Sequence, residues 1–86
     1  MPEISRFLGI IIAMYFKEHG GPHFHARYGD YRAVFSIEDL QVLEGGLPRR
    51  VTALVLEWAF GHRKELLENW RRAAALRPLR PVPPLE

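Results

Sequence analysis

Residues 23–36 read HFHARYGDYRAVFS, two runs of alternating side chains on either side of Gly29-Asp30. Gly-Asp between strand-forming runs is a favoured two-residue hairpin turn. Counting outward from it sets Tyr28 opposite Tyr31, Arg27 opposite Arg32, Ala26 opposite Ala33, His25 opposite Val34, Phe24 opposite Phe35 and His23 opposite Ser36. Successive side chains point to opposite faces of a strand. One face therefore carries Phe24, Ala26, Tyr28, Tyr31, Ala33 and Phe35, the composition of a core. The other carries His23, His25, Arg27, Arg32, Val34 and Ser36, which is not. A one-residue slip would exchange the faces of one strand, so the turn decides which side is which.

Upstream, RFLGIIIAMYF (residues 6–16) reads as a single strand that is apolar on both pleat faces. Ile10, Ile12, Met14 and Phe16 lie on one face, Ile11, Ala13 and Tyr15 on the other, and a strand of that kind is covered from both sides. Downstream, QVLEG (41–45) reads as a fourth short strand. Pro48 then opens a long helix over residues 49–76, its missing N–H harmless at that position. Gly61 interrupts this helix at a cost of about 1 kcal/mol relative to alanine and is the place for a kink.

At about 100° per residue, Val51, Leu54, Val55, Trp58, His62, Leu66 and Ala73 form the stripe that packs on the aromatic sheet face. Leu56, Phe60 and Leu67 form a second stripe, and one helix on a small sheet cannot bury both. With Ile11 and Tyr15 they form the candidate partner interface, for a second copy of the chain or a small protein partner. The competing occupant is the chain's own tail folded back over Leu56 and Phe60. That tail, RPLRPVPPLE (77–86), reads as a proline-rich flexible arm outside a single α+β domain of residues 1–76.

Composition narrows the function classes. No apolar run reaches the ~20 residues of a membrane span, and the absence of cysteine excludes disulfide and thiol chemistry. Both fit a cytoplasmic protein. Lys17 and Lys64 are the only lysines among twelve basic residues, and arginine forks suit phosphates and carboxylates. Arg27 and Arg32, placed opposite each other, repel unless an anion bridges them, which makes them candidate phosphate holders. The alternative is that both splay into water or pair with Asp30 and a nearby glutamate.

Three of the four histidines, His19, His23 and His25, sit within seven residues of one another. They admit three readings. As general acid–base groups, His23 and His25 beside arginines could cleave a phosphodiester without a metal. As ligands, they could share an ion with His19, but His-x-His without cysteine or adjacent acidic residues defines no site, so no metal or other cofactor is assigned. As structural residues, they would satisfy loop carbonyls after the GGP turn. His62, inside the helix stripe, reads first as a hydrogen-bonded core residue.

The segments MPEISRF, GIIIAMYF, PHFHARYGDY, VLEGGLPRR and LEWAFGHRKELLENW occur in the order shown by a family of small prokaryotic proteins, domain of unknown function 4160. The chain resembles that family over about residues 1 to 72, departing at Gly21, where members commonly carry a second proline. The resemblance carries no established reaction. It implies one half of a compact two-gene module, similar to toxin–antitoxin pairs, often beside a protein of domain of unknown function 2442.

The expected architecture is a small antiparallel meander of three or four strands with one long C-terminal helix packed on one face. The expected function is a toxin-like component acting on RNA, with His23 and His25 catalytic and Arg27 and Arg32 holding phosphate. The alternative is a non-enzymatic interaction module, antitoxin-like or an adaptor.

Overall fold

Five strands and two helices follow one another in the computed structural model, which describes residues 2–86: β1 Glu3–Phe7, β2 Ile10–Ala13, β3 His23–Tyr28, β4 Tyr31–Ser36, β5 Val42–Gly46, α1 Arg49–Gly61 and α2 Arg63–Ala74. Met1, the first residue of the MPEISRF segment, lies outside the described residues. Neighbours in sequence are neighbours in one antiparallel sheet, ordered β1-β2-β3-β4-β5. The α+β class and the meander therefore stand, while the strand and helix counts need correction.

The fifth strand comes from RFLGIIIAMYF, which is a hairpin rather than one strand. Leu8 and Gly9 both take positive φ, 50° and 79°, the combination a type I′ turn requires. Leucine rarely occupies such a position, so an unbroken apolar run conceals the turn. The fold-back pairs Phe7 with Ile10 and Arg6 with Ile11. Ile10, Ile12 and Met14 then point into the core, whereas Phe16, past the strand end, is exposed.

The β3–β4 hairpin keeps the register counted from its turn, from Tyr28 opposite Tyr31 to His23 opposite Ser36. Only the first turn residue, Gly29, has positive φ (58°), as in a II′ turn. Phe24, Ala26, Ala33 and Phe35 are buried on the inner face. Tyr31, at the tip, is exposed. Helices cover this face, with Trp58 of α1 set against Phe24 (ring centroids 5.9 Å) and Phe7 (5.3 Å).

The long helix breaks at His62, whose φ of −126° and ψ of 24° leave the helical region. Gly61 ends α1 without a side chain to hold the next turn, and α2 restarts when Leu66 N–H donates to the His62 carbonyl at 3.0 Å. The bend brings Trp70, Ala73 and Ala74 of α2 beside Tyr15, Lys17 and Glu18 of the β2–β3 connection. Among the described residues no helix is long and apolar enough to cross a membrane.

The tail is not a free arm. Val82 is buried, and its N–H donates to the Ile4 carbonyl at 2.7 Å, satisfying part of the β1 edge. Trp58 Nε1–H donates to the Pro83 carbonyl at 2.8 Å. A buried indole N–H needs an acceptor, and proline carbonyls can serve because proline loses only its donor. Residues beyond 76 thus share the core of the domain.

Candidate functional site

The face of the sheet opposite the one that Trp58 of α1 covers carries the polar residues of the hairpin, and α2 reaches its His23 end through Trp70. Ala13 is opposite His25 and Ile11 is opposite Arg27, so β2 extends the same surface. His25, Arg27, Arg32, Ile11, Tyr15 and Glu44 line a shallow groove of about 290 Å³. Among the described residues neither Arg27 nor Arg32 makes an ion pair, with Asp30 or with any glutamate. Two guanidinium groups are thus presented from opposite strands of one groove without a contact ion pair, with Glu3 near enough to interact with the charge of Arg27 and Glu44 in the groove wall.

The histidine end of the groove is organised by a residue that spacing does not single out. Glu18, in the β2–β3 connection, places one carboxylate oxygen, Oε1, 2.5 Å from His25 Nε2 and 3.1 Å from His23 Nε2. The side chains of Glu18, His23 and His25 are 31%, 12% and 30% exposed, so the cluster is half sheltered yet open to solvent. Hydrogen bonding from His25, then from His23, holds the Glu18 carboxyl below the usual carboxylate range, although its partial burial acts the other way. That attraction is complete above the ordinary carboxyl range and is lost as pH falls through the depressed value.

The rings are fixed on both sides. His23 Nδ1–H donates to the Gly21 carbonyl at 2.9 Å, and its ring lies 4.8 Å from that of Trp70. Tyr15 meets His25 edge-on at 4.6 Å, and the two imidazoles are 5.4 Å apart. His19 is exposed and, among the described residues, belongs to no such contact, so the third partner of the histidine pair is Glu18 rather than His19. Of the missed residues, Trp70 carries no sequence signal. Glu18 has a faint one: pairing of Ala13 with His25 starts the connecting loop beside the histidines, so a carboxylate within it is in reach.

The other expected residues separate. Leu56 and Leu67 are half-buried and pack against the core, which dissolves the second helical stripe. Phe60 alone remains outside, 74% exposed. The tail reaches Trp58 through the Pro83 carbonyl and leaves Phe60 uncovered. Ile11 and Tyr15 are half-buried in the groove wall. His62 lies with the helices, its Nδ1 2.6 Å from Glu65 Oε1 and its ring against Trp58, away from the groove.

No curated protein and no solved structure matches this chain. A family model described as a domain of unknown function, DUF4160, matches residues 9–71, a span that includes β2, β3, β4 and β5, the Glu18–His23–His25 cluster and Trp70. With most of its length covered by that match, the chain belongs to the DUF4160 family.

Proposed function

We propose that the protein acts on RNA as the toxin-like component of a two-protein, toxin–antitoxin-type module of the prokaryotic cytoplasm. The observation that carries this reading is the co-location of Arg27, Arg32 and His25 in one groove, with Glu18 held against the His25 ring. The arginines bind a phosphate and favour the negative charge that develops on phosphorus during attack by the ribose 2′-hydroxyl. Glu18 accepts the Nε2–H of His25, which leaves Nδ1 as the lone pair that takes the hydroxyl proton. The 2′-oxygen bonds to phosphorus as the bond to the 5′-oxygen breaks, leaving a 2′,3′-cyclic phosphate, and the 5′-oxygen takes a proton from water. His23, sheltered under Trp70, is a positioning residue: its ring fixes the carboxylate from the other side.

A labelled RNA oligonucleotide incubated with purified protein in excess chelator tests the reading. Cleavage by wild type that His25→Ala reduces at least about a hundredfold, the usual scale for a general base, supports it. Equal background from the two proteins removes it. In cells, the expected result is growth arrest on induction of wild type but not of the His23→Ala/His25→Ala double variant at matched protein level.

The exposed Phe60 favours a second reading, an interaction module without enzymatic activity that works in a homo-oligomer or with a small protein partner of the domain of unknown function 2442 type. Its partner surface is then the α1 end rather than the groove.

A further inference from the structure

Glu18, His23 and His25 each offer a ligand atom, and the three atoms all lie within 4.8 Å of one another. Among the described residues no other His, Cys, Asp or Glu group converges in this way. We propose that this cluster binds one divalent transition-metal ion, zinc being the best fit, through Glu18 Oε1, His23 Nε2 and His25 Nε2. The proposal stands on the geometry of the cluster and not on the RNA reading.

Proton accounting comes first. A carbonyl only accepts, so the 2.9 Å contact to Gly21 fixes the proton of His23 on Nδ1. Nε2, the ring's other nitrogen, lies 3.1 Å from Glu18 Oε1. The Nε2 of the second imidazole, His25, lies 2.5 Å from the same oxygen. One carboxylate oxygen and two ring nitrogens thus converge on a single point, the donor arrangement of a two-histidine, one-carboxylate cation site. A small rotation of Glu18 opens room for a metal with bonds of about 2.0–2.2 Å to nitrogen and oxygen.

The surroundings match what a metal ligand needs. A ligating histidine commonly donates its other ring N–H to a backbone carbonyl, which sets tautomer and orientation, and His23 does so to Gly21. Trp70 and Tyr15 wall the two rings with apolar surface. Two imidazoles and one carboxylate suit zinc and its transition-metal neighbours, whereas magnesium prefers oxygen ligands and retained water. Three protein ligands leave a fourth position for water or substrate. All three ligands line one cavity together with Glu38 and Glu44, and His25 also borders the arginine groove.

Tag-free, chelator-stripped protein titrated with zinc chloride, and separately with magnesium chloride, tests this in the absence of RNA. The expected result is one saturable zinc per chain, no saturable magnesium, and zinc affinity reduced about tenfold or more by Glu18→Gln and by His25→Ala but not by His62→Ala. Histidine-detected 1H–15N spectra of the wild type make the assignment without any substitution: zinc shifts the Nε2 signals of His23 and His25 and leaves those of His62 in place. Absence of saturable zinc binding overturns the proposal, as does affinity that Glu18→Gln or His25→Ala leaves intact, or a shift confined to His19 or His62. RNA cleavage is read separately in chelator, because a metal on His25 Nε2 places the ring proton on Nδ1 and removes the base, and failure of one reading leaves the other standing.

Discussion

The side chain of Asn69 on α2 holds the backbone of Arg80 at both ends: Arg80 N–H donates to Asn69 Oδ1 at 2.8 Å, and Asn69 Nδ2 donates to the Arg80 carbonyl at 2.8 Å. Asn69 is 1% exposed, so an amide buried in the α2 core face is matched to the peptide unit of the tail. Two residues on, Val82 fills the core and meets β1.

Removing that match destabilises the whole domain. Asn69→Ala removes two hydrogen bonds to the Arg80 backbone and empties the buried space of the amide, at a cost of about 2 kcal/mol. In a domain of this size that is a fall in melting temperature on the order of 10 °C. A chain ending at residue 76 falls at least as far, since it also loses Val82 and the acceptor of Trp58 Nε1–H. Thermal denaturation followed by circular dichroism measures both. A truncated chain as stable as the full one would show that the tail contacts contribute nothing.

How much of this is readable from the residues depends on the range over which each contact acts. The β3–β4 register follows from Gly29-Asp30 and strict alternation, because a turn and its flanking pairs are local. The Leu8-Gly9 turn does not show, because its first residue is apolar and sits in an apolar run, so backbone conformation there is imposed by pairing of β1 with β2. Leu56 and Leu67 form a second stripe only on one straight helix. The break at His62 gives α1 and α2 separate orientations, and each leucine then packs on the core. At the site, the histidine and arginine face is legible from the hairpin alone, whereas Glu18 reaches it only through a loop whose return path is fixed by Ala13 opposite His25.

Two glycines separate backbone need from helix propensity. Gly45 has φ of 68°, and a methyl group there would run into the Arg32 carbonyl across the β4–β5 pair. Gly45→Ala therefore destabilises by about 2 kcal/mol, combining left-handed strain with displacement of β5. Gly61 has open space around its Cβ position and no positive φ. Gly61→Ala stabilises by up to about 1 kcal/mol through helix propensity and a less flexible unfolded chain. Urea midpoints of the two variants should lie on opposite sides of wild type, with unchanged slopes.

Phe60 gives the interaction reading a direct measurement. Because the side chain is exposed, Phe60→Ser shifts folding stability by no more than about 0.5 kcal/mol. If α1 is a partner surface, the same change lowers the solution mass of any oligomer, or abolishes binding of the partner, at unchanged melting temperature. Light scattering across a concentration series reads the first effect. A wild-type chain that stays monomeric throughout, and binds a partner no better than the variant, sends the search for a surface back to the groove.

The RNA reading makes a prediction about salt that does not depend on cleavage. If Arg27 and Arg32 each neutralise one phosphate of a single strand, log K falls with log salt by about 0.7 for each contact. Arg27→Ala and Arg32→Ala should each flatten that slope by about this amount, and the double variant by about twice it. Arg71→Ala is the control, because Arg71 lies on exposed α2 surface near Glu68, away from the groove. Fluorescence anisotropy with a short labelled RNA between low and physiological salt supplies the slopes. Parallel lines for wild type and the double variant would mean that the paired guanidiniums do not hold phosphate, and the groove would have to be assigned to another anion. Because the two arginines face each other across one strand pair, their effects should also be coupled. An anion bound between them relieves their mutual repulsion, and either single variant forfeits that relief, so the double variant loses less affinity than the sum of the single losses, a non-additivity that independent surface charges would not give.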